Sequence, residues 1–269
     1  MTENVISSVQ NPRIKRLLLL QQKSAERRRQ GVFVVEGRRE LQHCMEAGYE
    51  VESLFWCATL NAERPSFLEE YSGKAVRDMQ CYEVTERVYE KMAYRGTTEG
   101  VVAIVRQRPV TLSDLQLPDN PLLMVLEGVE KPGNLGAVLR SADAAKADAV
   151  IVCDPLTDLY NPNLIRSSIG AIFTVPTVGC TTEECIGFLQ GRGIQILTAQ
   201  LQDSHLYYDT DMRKGTALVM GTESTGLTDQ WRKAATAHIR IPMLGRLDSL
   251  NVSVSAAILL FEAVRQRTV

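Results

Sequence analysis

The strongest constraint on this chain is a rhythm. Short, almost wholly apolar runs alternate with longer segments whose apolar residues recur at helical spacing. In the second half, PLLMVLEGV, DAVIVCD, IFTVPTVG, IQILTAQ, ALVMG and HIRIPM read as strands. Between and after them, GNLGAVLRSADAAKA, NPNLIRSSIG, TEECIGFLQGRG and the closing VSVSAAILLFEAVRQR read as helices. That alternation predicts an α/β architecture with a parallel sheet flanked by helices. The first half repeats it on a smaller scale. GVFVVEG, VESLFWCA and GVVAIV are strands, RRELQHCMEAG is a helix ending at Gly48, and a helix is expected near Thr85–Met92. A further helix is expected near Arg64–Tyr71 and a strand near Ala75–Val76.

Between the halves, RQRPVTLSDLQLPDNP carries three prolines and no sustained period. It reads as a linker at 107–119 between a domain at 1–106 and one at 120–269. With 269 residues and 45% apolar content the chain can bury a core in each. No apolar run approaches the roughly 20 residues of a membrane span. Leu17–Leu20 is too short for a signal-peptide core. Six cysteines form no CxxC pair and there are three histidines, so no metal site is expected, and unpaired thiols fit a reducing cytoplasm.

Net charge is −2, so the whole chain is no basic nucleic-acid binder. Residues 11–29 differ: Arg13, Lys15, Arg16, Lys23, Arg27, Arg28 and Arg29 stand against Glu26 alone. Such a run is either a solvated helix face or an electrostatic footprint for RNA phosphates.

In parallel α/β sheets ligands sit outside the carboxyl ends of the strands, so the turns there carry the functional reading. The first, EGVEKPGNLGAVLR, is neither a dinucleotide fingerprint nor a P-loop. Pro132 and Gly133 suggest a tight turn, Asn134 a helix cap, and Arg140 follows six residues on. The second, MGTESTGL, sets Glu223 between Gly221 and Gly226. The third, IRIPMLGRLDSLNVSVS, runs through Pro242 and Gly245 into a comb of Ser249, Asn251, Ser253 and Ser255. Taken alone, the comb is an N-cap, Arg140 a solvated helix residue and Glu223 a surface carboxylate.

Together, in this order and spacing, Asn134-x-Gly136-x-x-x-Arg140, Gly221-x-Glu223-x-x-Gly226-Leu227, and Ile241-Pro242-Met243 with Ser249-Leu250-Asn251-Val252-Ser253 resemble the SpoU/TrmH family of RNA ribose 2′-O-methyltransferases. The resemblance spans the second domain, and the first looks like the family's substrate-binding domain, related to ribosomal-protein RNA-binding modules. It implies a SPOUT domain with a deep trefoil knot, S-adenosylmethionine as cofactor, and a homodimer with active sites at the subunit interface. By the same resemblance Thr198, Ala199, Leu201, Gly221, Ile241, Met243 and Leu250 contact the cofactor, largely through backbone. Arg140, Asn134, Glu223, Ser249 and Asn251 form the catalytic set. Arg140 resembles the family's catalytic arginine; since a guanidinium stays protonated, orientation of the substrate phosphate suits it better than a literal general base.

Two departures from the common pattern, Lys131 before Pro132-Gly133 and Thr98-Glu99 before the GVVAIV strand, bear on target choice rather than on the reaction. A separate first domain favours 23S ribosomal RNA over transfer RNA. The rival of another class is a non-catalytic RNA-binding ribosome assembly factor, which predicts erosion of Asn134, Arg140 or the 249–251 triplet. None is eroded. A nucleotide-binding enzyme unrelated to RNA leaves the basic run without a role.

Overall fold

The computed structural model describes residues 5–60, 78–94, 99–222, 225–246 and 249–268. The helix expected near Arg64–Tyr71 and the strand near Ala75–Val76 lie outside them. The chain divides into two compact units: residues 1–109 with 160–174, and residues 110–159 with 175–269.

In the first unit, β1 (Val32–Glu36), β2 (Val51–Trp56), β3 (Gln80–Glu83) and β4 (Val101–Arg106) form a sheet in the order β1-β4-β2-β3. β4 runs antiparallel to both β1 and β2, while β2 and β3 are parallel. The helices are α1 (Pro12–Gln22), α2 (Ser24–Gln30), α3 (Arg38–Glu46) and α4 (Glu86–Met92), and α1 and α4 share a core with the strands through Ile14, Leu17, Leu20, Val88 and Tyr89. Pro12 at the first turn of α1 and the Asn11 side chain, which accepts from the Arg13 N–H at 2.9 Å, start that helix.

Residues 160–174 carry two short helices, α6 (Pro162–Ser167) and α7 (Ala171–Thr174), that cluster with this unit rather than with the chain on either side of them. Aromatic packing accounts for it. Phe33 stands 4.7 Å from the Tyr160 ring and 6.0 Å from Phe173, and Phe173 is 5.4 Å from Tyr49. The strand expected over IFTVPTVG is correspondingly shorter. Ile172 and Phe173 are helical, and only Thr177–Cys180 is extended.

The second unit is built on a seven-stranded sheet, all parallel: β5 (Leu122–Glu127), β6 (Ala149–Cys153), β7 (Thr177–Cys180), β8 (Gln195–Ala199), β9 (His205–Leu206), β10 (Thr216–Met220) and β11 (Ala237–Arg240). Their spatial order is β7-β6-β5-β10-β8-β11-β9. On one side α5 (Pro132–Ala144) and α10 (Val252–Thr268) pack on each other, α5 on β6 and α10 on β5 and β10; on the other lie α8 (Thr182–Gly191) and α9 (Asp229–Ala234). α9 and β9 have no counterpart in the sequence reading, both being too short to show a period. Alternate residues of the central strands, among them Leu123, Val125, Ile151, Ala217 and Val219, form the core beneath α8 and α9 with Trp231 and Leu189. Cover on both faces is why these strands are continuously apolar.

The two arginines near the C-terminus of α10 have different fates. Arg265 pairs with Glu262 one turn back. Arg267 instead reaches the amino edge of the sheet, donating to the carbonyls of Met212 (2.9 Å), Asn120 (2.9 Å), Pro121 (3.2 Å) and Lys214 (2.6 Å). One planar fork of donors thus fastens the last helix to the chain entering β5 and β10. Arg267→Ala is expected to destabilise the protein by about 2–3 kcal/mol, because several half-buried carbonyls lose a charged donor. Arg267→Lys, which lacks the fork, restores little of it; chemical denaturation of both variants checks this.

Candidate active site

Three loops meet at the carboxyl edge of the second unit's sheet, and their positions follow from Glu127, the last residue of β5. Its carboxylate is buried. It accepts from the Thr228 backbone N–H (2.8 Å) and hydroxyl (2.7 Å). The Thr182 hydroxyl lies 3.2 Å away and is shared with Asp154 at 2.7 Å. Thr228 occupies the cap position of α9 and Thr182 opens α8, so one carboxylate joins the end of β5 to the start of α8 and to the loop after β10. Sequence reasoning passed over this residue. Its signal was a lone acid closing an otherwise apolar strand, LLMVLE.

The turn after β5 differs from its expected form. The helix starts at Pro132, with Lys131 at the cap position making no side-chain cap bond, so Pro132 and Gly133 are its first two helical residues. Asn134 is therefore in the first turn and is not the cap. The fixed φ of proline suits the first helical position, where its missing N–H costs nothing. The Asn134 side chain instead crosses to the last helix, where its Oδ1 accepts from Asn251 Nδ2 at 3.2 Å.

Asn251 precedes α10 and caps it, with its Oδ1 accepting from the Ser253 N–H (2.9 Å) and hydroxyl (2.6 Å). Its carbonyl takes the first two helical bonds, from Val254 and Ser255. The capping reading of the polar comb thus holds for Asn251, with Ser253 the residue that it caps. Because Oδ1 is occupied by the cap, the amide nitrogen is the end that faces Asn134.

Gly221 follows β10, where the chain doubles back through a bond from the Gly226 N–H to the Thr222 carbonyl (3.1 Å). A Cβ on Gly221 would lie 2.2 Å from the Gly226 carbonyl carbon and 2.5 Å from the Leu227 nitrogen. Only glycine fits beneath that turn. Gly221, Thr222, Gly128–Lys131, Asn134 and Val252 line a cleft of about 160 Å³.

Beside the cleft, β10, β8 and β11 end next to one another, which brings Gly221, Thr198, Ala199 and Ile241 to one edge. Thr198 is buried and its hydroxyl is engaged with His238 Nδ1 at 2.6 Å, so its side chain is committed to the sheet. Gln200 N–H bonds to the Ile239 carbonyl (3.0 Å), holding the start of the loop that carries Leu201. Ile241 and Met243 are half-buried, while Leu201 (55%), Leu244 (95%) and Leu250 (40%) are exposed. Ser249 is exposed just ahead of the cap, and Glu223 lies outside the described residues.

Arg140 is not brought to the Asn134–Asn251 pair. It is exposed on α5 and makes no hydrogen bond or ion pair among the described residues. Six residues separate it from Asn134, which on a helix is about 9 Å of rise and about 120° of rotation. The basic run also sorts itself. Arg13, Lys15, Arg28 and Arg29 are exposed, with Arg13 over the Tyr82 ring at 4.7 Å and Arg29 paired to Glu26. Arg16 is bound to Glu52 and Gln30. Arg27 does not belong to the accessible footprint: it is 2% exposed and donates to the carbonyls of Leu20 (2.6 Å) and Gln21 (3.1 Å) at the end of α1. Of the two departures, Lys131 lines the cleft, Glu99 accepts from the Arg38 N–H, and Thr98 lies outside the described residues.

A parallel sheet covered on both faces, with glycine-bearing turns and paired amides at its carboxyl edge, defines an α/β enzyme domain. Comparison with known proteins makes that class specific. The SpoU rRNA Methylase family model matches residues 121–261, and an MRM3-like substrate binding domain matches residues 11–103. The 23S rRNA (guanosine-2′-O-)-methyltransferase RlmB of Vibrio vulnificus is 34% identical over 231 residues, covering 78% of this chain and 93% of that protein. A crystal structure of an AdoMet-bound rRNA methyltransferase from Sinorhizobium meliloti superposes with a TM-score of 0.87 at 30% identity, over 97% of each chain. A structure concerned with 2′-OH methylation of C/U34 on tRNA reaches a TM-score of 0.50 at 28% identity, covering 56% of this chain and 99% of that one. The chain belongs to the SpoU methylase family, an α/β group of S-adenosylmethionine-dependent RNA 2′-O-methyltransferases.

The strand-edge residues fit that cofactor: a cradle closed to any Cβ at Gly221, backbone at three adjacent strand ends, and apolar Ile241, Met243 and Leu250 nearby. Gly221→Ala is expected to weaken S-adenosylmethionine binding at least about tenfold, roughly 1.4 kcal/mol, in isothermal titration. Gly226→Ala, where a Cβ meets nothing but φ is +67°, strains the same turn without entering it and should weaken binding less.

Proposed function

We propose that this protein methylates a ribose 2′-hydroxyl in a loop of 23S ribosomal RNA, as a homodimer whose active sites each draw on both subunits. The observation that carries the ribosomal target is coverage. The ribosomal RNA enzyme of Sinorhizobium meliloti matches the chain end to end, whereas the transfer RNA structure matches little more than half of it. The additional unit resembles a substrate binding domain. Single-stranded loops with unstacked bases are what a separate RNA-gripping domain can read.

In this reading Thr198, Ala199, Leu201, Gly221, Ile241, Met243 and Leu250 hold the cofactor. S-adenosylmethionine supplies an electrophilic methyl group on a sulfonium. Methyl transfer is an in-line displacement, so the protein's share is mostly positioning. Asn134 and Asn251, locked together at 3.2 Å, place the ribose, with Ser249 beside them at the mouth of α10; Glu223 joins the set by the family resemblance alone. Arg140 holds the neighbouring phosphate through its guanidinium, and that phosphate then receives the proton of the 2′-hydroxyl. The new bond joins the methyl carbon to O2′ as the carbon–sulfur bond breaks. The trefoil knot that the resemblance implies belongs to the second unit in this reading.

Two features support the dimer. Within one chain Arg140 stands away from the Asn134–Asn251 pair. Helix α10 also exposes Val254 (47%) and Phe261 (48%) with half-buried Ile258 between them, an apolar stripe at helical spacing, and Leu250 just ahead of the helix is exposed too. Arg140→Ala and Asn251→Ala are each expected to keep cofactor binding and lose methyl transfer at least about tenfold. Mixed and allowed to exchange subunits, the two should recover about a quarter of wild-type activity, since half the dimers then carry one intact shared site. No recovery on mixing places each site within one chain.

The exposed part of the basic run serves RNA binding. Arg28→Gln with Arg29→Gln should weaken RNA affinity and flatten its salt dependence by about 1.5 in log–log slope, at roughly 0.7–0.9 per phosphate contact. An unchanged slope makes the run a solvated face. Labelling of unmodified 23S and transfer RNA side by side tests the target, and preferential labelling of transfer RNA refutes the ribosomal choice while sparing the reaction.

A further inference from the structure

Three of the six cysteines, scattered in sequence, converge in the second unit. Cys153 ends β6, and its register partner across the sheet is Cys180, which ends β7. Cys185 is on α8, whose start is fixed beside Cys180 by a capping box: Thr181 N–H donates to Glu184 at 2.8 Å and Glu184 N–H donates to the Thr181 hydroxyl at 3.2 Å. The three sulfurs all lie within 4.8 Å of one another. Cys153 and Cys185 are fully buried in the core beneath α8, and Cys180 at its margin is half-buried.

We propose that Cys153, Cys180 and Cys185 form a three-thiolate site for a soft, thiophilic cation, with monovalent copper as the best match. The separations fit: a metal bound at about 2.3 Å to three sulfurs in a plane sets them about 4.0 Å apart, so small side-chain rotations complete the triangle. Two of the sulfurs come from paired strands and the third from a capped helix, so the backbone that presents them is fixed before any metal arrives.

The donor set selects the ion. Zinc in closed sites is four-coordinate and needs a fourth ligand. Among the described residues no histidine, aspartate or glutamate joins the three sulfurs. The nearest carboxylates along the chain are engaged elsewhere: Asp154 accepts from the Thr182 N–H (3.2 Å) and hydroxyl (2.7 Å), and Glu184 serves the capping box. Thiolate ligation without a fourth donor suits a soft ion content with three. Binding releases thiol protons, and the positive end of the ten-residue helix α8 lies beside Cys180 to offset part of the negative charge gained. Cys180, the half-buried member, is the point of entry.

The opposing reading, in which three cysteines merely fill the core as small apolar groups, makes a different prediction. The full-length protein, reduced and stripped of metal under anaerobic conditions, is titrated with monovalent copper against a chromogenic copper chelator, and in parallel with Zn(II). The site predicts one equivalent of copper withheld from the chelator per chain and weaker retention of zinc. Cys180→Ser and Cys185→Ala, confirmed folded by circular dichroism, should each lose that equivalent. Cys81→Ser, in the other unit, should keep it. The half-buried position of Cys180 leaves at least one variant that folds. Loss of copper from the wild type to the chelator, equal retention by folded Cys180→Ser, or tighter retention of zinc overturns the proposal.

Discussion

The carboxyl edge of the second unit depends on one buried carboxylate. A glutamate removed from water is costly unless its oxygens are hydrogen-bonded, and Glu127 meets that condition with Thr228 and Thr182. The consequence is mechanical. The end of β5, the start of α8 and the loop after β10 cannot move independently without leaving a buried charge unpaired, a penalty of several kcal/mol. That loop carries the Gly221 turn, and the chain leaving β5 carries Asn134. The geometry of the cleft is therefore inherited from a group that touches none of its contents.

Around that tether each kind of element contributes differently. Strand ends present backbone, and helix starts present side chains. The two amides at the starts of α5 and α10 meet because those helices pack on each other, α5 over β6 and α10 over β5 and β10. α10 illustrates the economy of a helix that is apolar on more than one side. One face is buried through Ala256, Leu259, Leu260 and Ala263, and its end is riveted by Arg267 to the amino edge of the sheet. The opposite stripe, from Val254 to Phe261, is exposed, which is what a helix shared between two subunits would present.

The first unit shows how a charge count misleads when read without depth. Seven basic residues between 11 and 29 look alike in sequence, yet Arg27 is spent on the open carbonyls at the end of α1 and Arg16 on Glu52. The remaining cations stand on the solvent side of two short helices. The incorporation of residues 160–174 into this unit has the same character: Tyr160 and Phe173 follow the aromatic surface of Phe33 and Tyr49 rather than the chain that bears them.

The sequence by itself determined the class of fold, because continuous apolar runs alternating with helical periods admit few solutions other than a covered parallel sheet. It also marked the strand-end turns, because proline, glycine and asparagine impose backbone geometry locally, and the closing helix with a polar comb at its start, though not which residue of the comb caps it. Tertiary structure decided what no local pattern encodes. Asn134 was released from capping because proline took the first helical position, and it could find Asn251 only once α5 and α10 had packed, 117 residues apart in sequence. Glu127 became a tether only when loops from three parts of the chain closed over it. Cys153, Cys180 and Cys185 obey no ligand spacing, and they meet because strands adjacent in the sheet end at the same level. Spacing along a chain reports only what lies within a turn or two, whereas sheet order brings together residues whose separation in sequence carries no signal.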